Sequence, residues 1–294
     1  MFCKNPIGIN QTQYVACGQC LPCRIGKRML WASRIKLEAT QHHECSFLTL
    51  TYTEENVPGD GSLNPLHLSH WLKRFRKRYE PLRVRYFAVG EYGDVTWRPH
   101  YHVVLFGFGG CRLGRQFLDV SERCCPNCNM VSETWGLGRI ECVPFDPRGH
   151  SNYVAGYVVK KMTKKEDSRL EGKYPEFARM SRSPGLGAHT APAIADAMRR
   201  GFREYTEDVP HYLSVGVKEK LTLGRYIRGR VREELGMAKE TPARFRQDFQ
   251  EKMLDLSLYA QQMGLTPKEV LQIKAEQRTS TAEFWEKLRR KKPL

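Results

Sequence analysis

The segment Pro99-His100-Tyr101-His102-Val103-Val104-Leu105-Phe106 combines a strand pattern with two histidines. Its β-branched and aromatic residues favour a β-strand from His100 to Phe106. A second strand is predicted from Val84 to Glu91, and the eight residues that join the two are few enough for an antiparallel hairpin. Side chains two residues apart on a strand project to the same face, so the imidazoles of His100 and His102 converge.

The two imidazoles predict a small divalent-metal site. Glu91 is the natural third ligand, because the hairpin places the end of the preceding strand beside His100. Two neutral imidazoles and one carboxylate leave positions open for water and substrate oxygens. The alternative is an ordinary strand with one buried and one surface histidine, since His-x-His alone is a short pattern.

A second group of chemically active side chains lies on a predicted helix from Ser151 to Lys164. Tyr153 and Tyr157 are one helical turn apart, and Lys160 lies about two turns from Tyr153, so the three share one stripe. Two phenols and an ammonium on one face suit phosphoryl transfer, in which a phenol attacks phosphorus and the lysine favours the phenolate or holds the phosphate. The alternative is a pair of core aromatics with a solvated lysine.

The remaining pattern predicts an α/β fold with a central antiparallel sheet, flanking helices and a helical C-terminal extension. We expect the helices on one face of the sheet and the metal site on the other, open face. Further predicted elements are a helix over 25–41, a strand over 46–52, a helix over 65–79, a loop-rich region over 165–212 and helices from about 215. The predicted domains are a cysteine-rich segment over 1–24, a main domain over 25–212 with a cysteine-containing insertion at 109–142, and a basic extension over 213–294.

The ten cysteines are weighed against the compartment. No secretory leader follows Met1 and no apolar run is long enough to cross a bilayer, which predicts a cytosolic protein whose cysteines are thiols or metal ligands. A four-thiolate zinc site, or free thiols, is expected for Cys3, Cys17, Cys20 and Cys23. A second and weaker zinc candidate is Cys125 and Cys128, with Cys111, Cys124 and Cys142 as further ligands.

The charge predicts a polyanionic partner. The chain carries 48 lysines and arginines against 32 acidic residues, a formal charge of +16, and nucleic acid is the leading candidate. The basic helix around residues 73–78 offers phosphate contacts, unless its charges are merely solvated. The candidates are Lys73, Arg74, Arg76 and Lys77.

Taken together, the motifs resemble the HUH endonucleases, and in detail the replication initiators of the Microviridae, closest to the gokushovirus branch. The resemblance covers about residues 1–190. The segments that carry it are Phe47-Leu48-Thr49-Leu50-Thr51-Tyr52, Gly90-Glu91-Tyr92-Gly93, Arg98-Pro99-His100-Tyr101-His102, the group Tyr153, Tyr157, Lys160 and Lys161, and the triplet Cys17, Cys20 and Cys23.

The resemblance implies a rolling-circle initiator that acts on single-stranded origin DNA with Mg²⁺ or Mn²⁺. One tyrosine would form a 5′-phosphotyrosine link and free a 3′-hydroxyl for synthesis, and the second would cut the regenerated origin so that the displaced strand closes. It also implies a host helicase and polymerase as partners in the bacterial cytoplasm. The alternatives are a non-catalytic, zinc-stabilised protein that binds single-stranded DNA, and a transposase or relaxase of the same chemistry.

Overall fold

The computed structural model describes residues 3–9, 13–93, 95–114, 117–119, 121–157, 168–201, 208–216 and 219–277. The strands are β1 (Ile7–Gly8), β2 (Tyr14–Val15), β3 (Cys45–Leu50), β4 (Arg85–Tyr92), β5 (Pro99–Phe106), β6 (Ile140–Pro144), β7 (Phe177–Met180), β8 (Tyr212–Val215) and β9 (Glu219–Thr222). The helices are α1 (Leu21–Ala39), α2 (Pro65–Tyr79), α3 (Pro126–Trp135), α4 (Gly149–Tyr157), α5 (Ala191–Gly201), α6 (Arg225–Glu234) and α7 (Ala243–Gln262). A further helical stretch covers 267–277.

A five-stranded antiparallel sheet forms the centre of the fold, with the strand order β6-β3-β5-β4-β7. The predicted hairpin of β4 and β5 is present, and Glu91 lies directly opposite His100 in its register. The predicted α/β class, with a central antiparallel sheet and flanking helices, is therefore confirmed.

Helices cover both faces of the sheet, so the expectation of one fully open face was wrong. On the histidine face, which carries Phe47, Val89, His102 and Val104, helices α1 and α4 supply buried apolar side chains. On the opposite face, the strand residues pack against α2 and α3. The strands carry apolar side chains on both faces away from the histidines, and each apolar face must be covered to leave water.

Two elements lie in the region predicted to be loops. Strand β7 extends the sheet at its β4 edge, and α5 packs in a third apolar cluster with α6 and β9. The pattern of β7 is only four residues long, and its strand form depends on hydrogen bonds to β4. The sequence signal for α5 was present, because Ala191, Ile194, Ala195 and Met198 recur at helical spacing.

Helix starts are set by local signals. The side chain of Asn64 accepts the backbone N–H of Leu66 at 3.0 Å, and Pro65 occupies the first turn of α2. No helix within the described ranges is long and apolar enough to span a membrane.

Candidate active site

Three side chains that the sequence singled out meet at one end of the β4–β5 hairpin. The Nε2 atoms of His100 and His102 lie 2.8 Å and 2.9 Å from Oε1 of Glu91. The Glu91 side chain is 4% exposed and that of His102 is 6% exposed, whereas His100 lies nearer the surface. One candidate ligand atom from each residue lies within 4.8 Å of the other two. The strand register places all three groups together because Glu91 and His100 are paired and His102 follows on the same face.

The other ring nitrogens of the two histidines have hydrogen-bond acceptors of their own. Nδ1 of His100 lies 3.1 Å from the carbonyl oxygen of Arg98, which can only accept. The hydroxyl of Thr49 donates to Oε2 of Glu141 at 2.8 Å, so its oxygen is left to accept from Nδ1 of His102 at 3.2 Å. These partners assign the ring proton to Nδ1 in both histidines.

This assignment tests whether the site fits a metal ion. With both protons on Nδ1, each Nε2 presents a lone pair toward the same carboxylate oxygen of Glu91. Three electron-pair donors that meet at hydrogen-bond distance repel one another unless a cation lies among them. The donor set therefore fits a divalent cation held by Glu91, His100 and His102.

Helix α4 brings its two tyrosines to this group. The hydroxyl of Tyr153 lies 3.5 Å from Nε2 of His102. The ring of Tyr157 stacks on the His102 ring, with a centroid distance of 5.3 Å and an interplanar angle of 18°. The two tyrosine rings meet edge to face at 4.9 Å. Both side chains are partly buried and face the histidines, so the sequence stripe of phenols lies against the predicted metal ligands.

Two features hold α4 in place. Val154 and Ala155 are fully buried in the core of the histidine face. At the start of the helix, the carboxylate of Asp146 accepts the backbone N–H groups of Arg148 at 2.9 Å and Gly149 at 2.6 Å. Capping of this kind satisfies N–H groups that have no partner within the helix.

The surroundings of the site are apolar and shift its pKa values. Burial lowers the pKa of His102, although the hydrogen bond to Glu91 opposes that shift. Burial raises the pKa of Tyr157, and the negative charge of Glu91 raises it further. In the absence of a compensating cation, both groups therefore favour their neutral forms.

Some site residues were not found from the sequence. Glu141 reaches the site because β6 pairs with β3 and places Glu141 opposite Thr49. Phe47 stacks on both His102 and His150. Neither Glu141 nor His150 belongs to a local motif, and only strand pairing could have revealed Glu141. The predicted Lys160 lies outside the described residues.

The cysteines form two separate groups. Each group brings four sulfur atoms within 4.8 Å of one another. The first group is Cys3, Cys17, Cys20 and Cys23, as predicted; the second is Cys111, Cys124, Cys125 and Cys128. Both groups are able to hold a metal ion.

The basic residues predicted on α2 have different surroundings. Arg74 donates to the carbonyl oxygens of Thr134 and Trp135 and so joins α2 to α3. Arg76 lies over the ring of Tyr86 and lines a cleft of about 1350 Å³. Lys73 and Lys77 are exposed. The structure thus gives Arg74 a role in packing and leaves the other three accessible.

Residues 45–166 match the family model of the phage replication-associated protein ORF2. The chain is 29% identical to the replication-associated protein ORF2 of Spiroplasma virus 4 over 58% of this chain and 56% of the relative. It is 30% identical to the replication-associated protein VP4 of Bdellovibrio phage phiMH2K over 51% of this chain and 50% of the relative. It is 28% identical to the replication-associated protein ORF4 of Chlamydia phage 1 over 66% of this chain and 52% of the relative.

The chain spans about half the length of these curated relatives. No solved structure matches it. The matched segment runs from β3 to α4 and beyond, and so includes Glu91, both histidines and both tyrosines. The matches confirm the kinship predicted from the motifs: the chain is related to the replication-associated proteins of phages.

Proposed function

We propose that this protein is a rolling-circle replication initiator, a metal-dependent endonuclease that cuts single-stranded origin DNA by tyrosine attack. One observation carries the proposal: the phenols of Tyr153 and Tyr157 lie against a convergent carboxylate–imidazole group within the segment that matches phage replication-associated proteins. The names of the relatives support the replication role. The arrangement of side chains supports the chemistry.

The side chains of the site have distinct roles in this proposal. Glu91, His100 and His102 would hold Mg²⁺ or Mn²⁺, which when bound supplies positive charge to the oxygens of the scissile phosphate. Thr49 and Glu141 hold the ring of His102 in the orientation that directs Nε2 toward Glu91. The stacked rings of Phe47 and His102 keep that position rigid.

The tyrosines would carry out the covalent step. The phenol oxygen of one tyrosine forms a bond to phosphorus, the bond from phosphorus to the 3′-oxygen breaks, and a 5′-phosphotyrosine remains. The phenol proton passes to water, and the released 3′-oxygen gains a proton to become a hydroxyl that primes synthesis. The second tyrosine would cut the regenerated origin while the first still holds a 5′ end. Lys160 is proposed to assist at the phosphate.

A basic surface would hold the rest of the DNA strand. The cleft beside Arg76 is lined by five arginines and a single acidic residue, Glu80. Its arginines are Arg76, Arg83, Arg85, Arg179 and Arg182. Arg85 lies six residues before Glu91 on β4, about 20 Å along the strand. Such a surface suits the phosphates of single-stranded DNA, and Lys73 and Lys77 extend the positive charge along α2. A host helicase and polymerase in the bacterial cytoplasm would complete replication.

The test is covalent capture. The full chain is mixed with labelled single-stranded origin DNA and Mn²⁺, and the products are separated under denaturing conditions. We expect a protein–DNA adduct that withstands denaturant and disappears when both tyrosines are replaced, in Tyr153→Phe with Tyr157→Phe. Tyr174→Phe, at an exposed tyrosine away from α4, is the matched control and should leave the adduct unchanged.

Two results would overturn the proposal. One is the absence of an adduct from the wild-type chain with Mg²⁺, Mn²⁺ and other divalent ions. The other is an adduct that survives in the double variant, which would place the attacking group elsewhere. DNA binding without any adduct would instead favour the non-catalytic single-stranded DNA-binding protein.

A further inference from the structure

Ten cysteines occur in the chain, and eight of them fall into the two groups of four described above. We propose that each group holds one structural zinc ion, so that the chain binds two zinc ions in addition to the cation at Glu91, His100 and His102. The two sites are called the N-terminal cluster (Cys3, Cys17, Cys20, Cys23) and the insertion cluster (Cys111, Cys124, Cys125, Cys128).

The sulfur–sulfur distances fit a tetrahedral zinc site. With a zinc–sulfur bond of about 2.3 Å, the edge of the tetrahedron is about 3.8 Å. In the N-terminal cluster, Sγ of Cys20 lies 3.8 Å from that of Cys3 and 3.4 Å from that of Cys23. In the insertion cluster, the pairs Cys111–Cys124 and Cys125–Cys128 are both 3.6 Å apart. A disulfide would need about 2.05 Å, so these sulfurs are placed as co-ligands rather than as bonded pairs.

The backbone of the N-terminal cluster is also arranged for thiolates. The N–H of Cys17 points to Sγ of Cys3 at 3.2 Å, and the N–H groups of Gln19 and Cys20 point to Sγ of Cys17 at 3.4 Å and 3.3 Å. Backbone N–H groups directed at sulfur stabilise its negative charge, which a metal-bound thiolate keeps. Two Cys-x-x-Cys turns share Cys20, and the last one runs into the first turn of α1.

The insertion cluster draws its ligands from two separate segments. Cys111 follows β5 and donates its backbone N–H to the carbonyl oxygen of Cys142 on β6. Cys124, Cys125 and Cys128 lie at the start of α3, where Cys125 directly precedes Pro126. Cys142 is a buried neighbour of the cluster but is not one of the four mutually close sulfurs, and we assign it no ligand role.

The position of each cluster indicates what its zinc would do. Four thiolates leave no open position on zinc, which is the mark of a structural rather than a catalytic ion. The N-terminal cluster would join residues 3–23 to α1, and the same segment accepts a hydrogen bond from Gln272 to the carbonyl oxygen of Lys4 at 3.0 Å. The insertion cluster would join the loop after β5 to α3, in the core of the face opposite the histidines.

Zinc content measures the proposal directly. The full chain, expressed with zinc in the medium and freed of loosely bound ions, should contain two equivalents by elemental analysis. Cys17→Ser with Cys20→Ser should contain one, and Cys125→Ser with Cys128→Ser should contain one. Cys45→Ser is the matched control, since Cys45 is a free thiol outside both clusters, and should keep two. Cys142→Ala should also keep two.

A second measurement uses only the wild-type chain, in case a variant does not fold. Stepwise addition of an organomercurial, with a colorimetric zinc indicator, should release two equivalents of zinc as the cluster thiols react. His100→Ala with His102→Ala should release the same amount, which separates these sites from the proposed catalytic cation. A wild-type chain without zinc, iron with inorganic sulfide in place of zinc, or two equivalents remaining in either double cysteine variant would overturn the proposal.

Discussion

Thr49 provides a sharp test of the proposed metal site, because it connects Glu141 to His102 without touching the cation itself. Thr49→Val keeps the shape of the side chain and removes the hydroxyl, which makes hydrogen bonds of 2.8 Å to Glu141 and 3.2 Å to Nδ1 of His102. The ring of His102 would then lose the acceptor that keeps its proton on Nδ1, and Nε2 would no longer be held as a lone pair toward Glu91.

The expected loss follows from the partner that is removed. Replacement of the group that orients a metal-bound histidine costs about 10- to 100-fold in metal affinity, which corresponds to about 1.4–2.7 kcal/mol. The assay is adduct yield on single-stranded origin DNA as a function of Mn²⁺ concentration. The Mn²⁺ midpoint of Thr49→Val should rise by that factor, while the yield at saturating Mn²⁺ should approach that of the wild-type chain.

The control lies on the same chain segment. The hydroxyl of Thr51 is two residues further along and donates to the carbonyl oxygen of Arg139 at 3.1 Å, without contact to either histidine. Thr51→Val should therefore leave the Mn²⁺ midpoint unchanged. Equal midpoints for Thr49→Val and the wild-type chain, with both proteins folded, would refute the proposed orientation of His102.

Two further predictions concern the tyrosines and the stability of the C-terminal elements. Tyr153→Phe and Tyr157→Phe alone should each still form an adduct, mapped by peptide analysis to the remaining tyrosine, but should release no closed circles; release of circles by either single variant would contradict the need for two tyrosines. Asp208→Asn should lower the free energy of unfolding by about 3–5 kcal/mol near neutral pH, because the buried Asp208 carboxylate binds Arg228 and Arg232. Burial opposes the shift, but Arg232 and Arg228 lower the pKa of Asp208 below its ordinary value of 3.8. This stabilisation is therefore present above that value and is lost as the pH falls through the lower pKa of the folded state. Urea unfolding should show the variant and the wild-type chain beginning to converge below about pH 4, and Asp196→Asn, at an exposed ion pair, should change little at any pH. A gap that persists in acid would show that the charge of Asp208 is not the cause.

Much of the candidate site was readable from local patterns. The alternation of residues around His100 and His102 predicts one face of one strand, and a short hairpin then brings Glu91 alongside; the structure has this arrangement. The spacing of Tyr153 and Tyr157 likewise places both on one side of α4. These inferences succeed because each depends on backbone geometry over a few residues, which side-chain periodicity reports directly.

The rest depended on pairing between distant segments. Glu141 and Thr49 are 92 residues apart, and only the register of β6 against β3 brings them into contact. Cys111 and Cys124 join the Cys125–Cys128 turn in the same way, with irregular spacing that local pattern could not rank above Cys142. Strand β7 took its form from hydrogen bonds to the β4 edge, and helices α1 and α4 covered a face expected to be open.

The sequence by itself determined the antiparallel hairpin with its two histidines and the helix with its two tyrosines, since both follow from the period of the backbone. The tertiary structure decided which second segments lie against them: β6 with Glu141, α4 over the ring of His102, and two groups of cysteines gathered from separate loops. The physical reason is that burial and strand pairing are satisfied by the whole chain at once, so a partner 50 or more residues away leaves no mark in the local pattern.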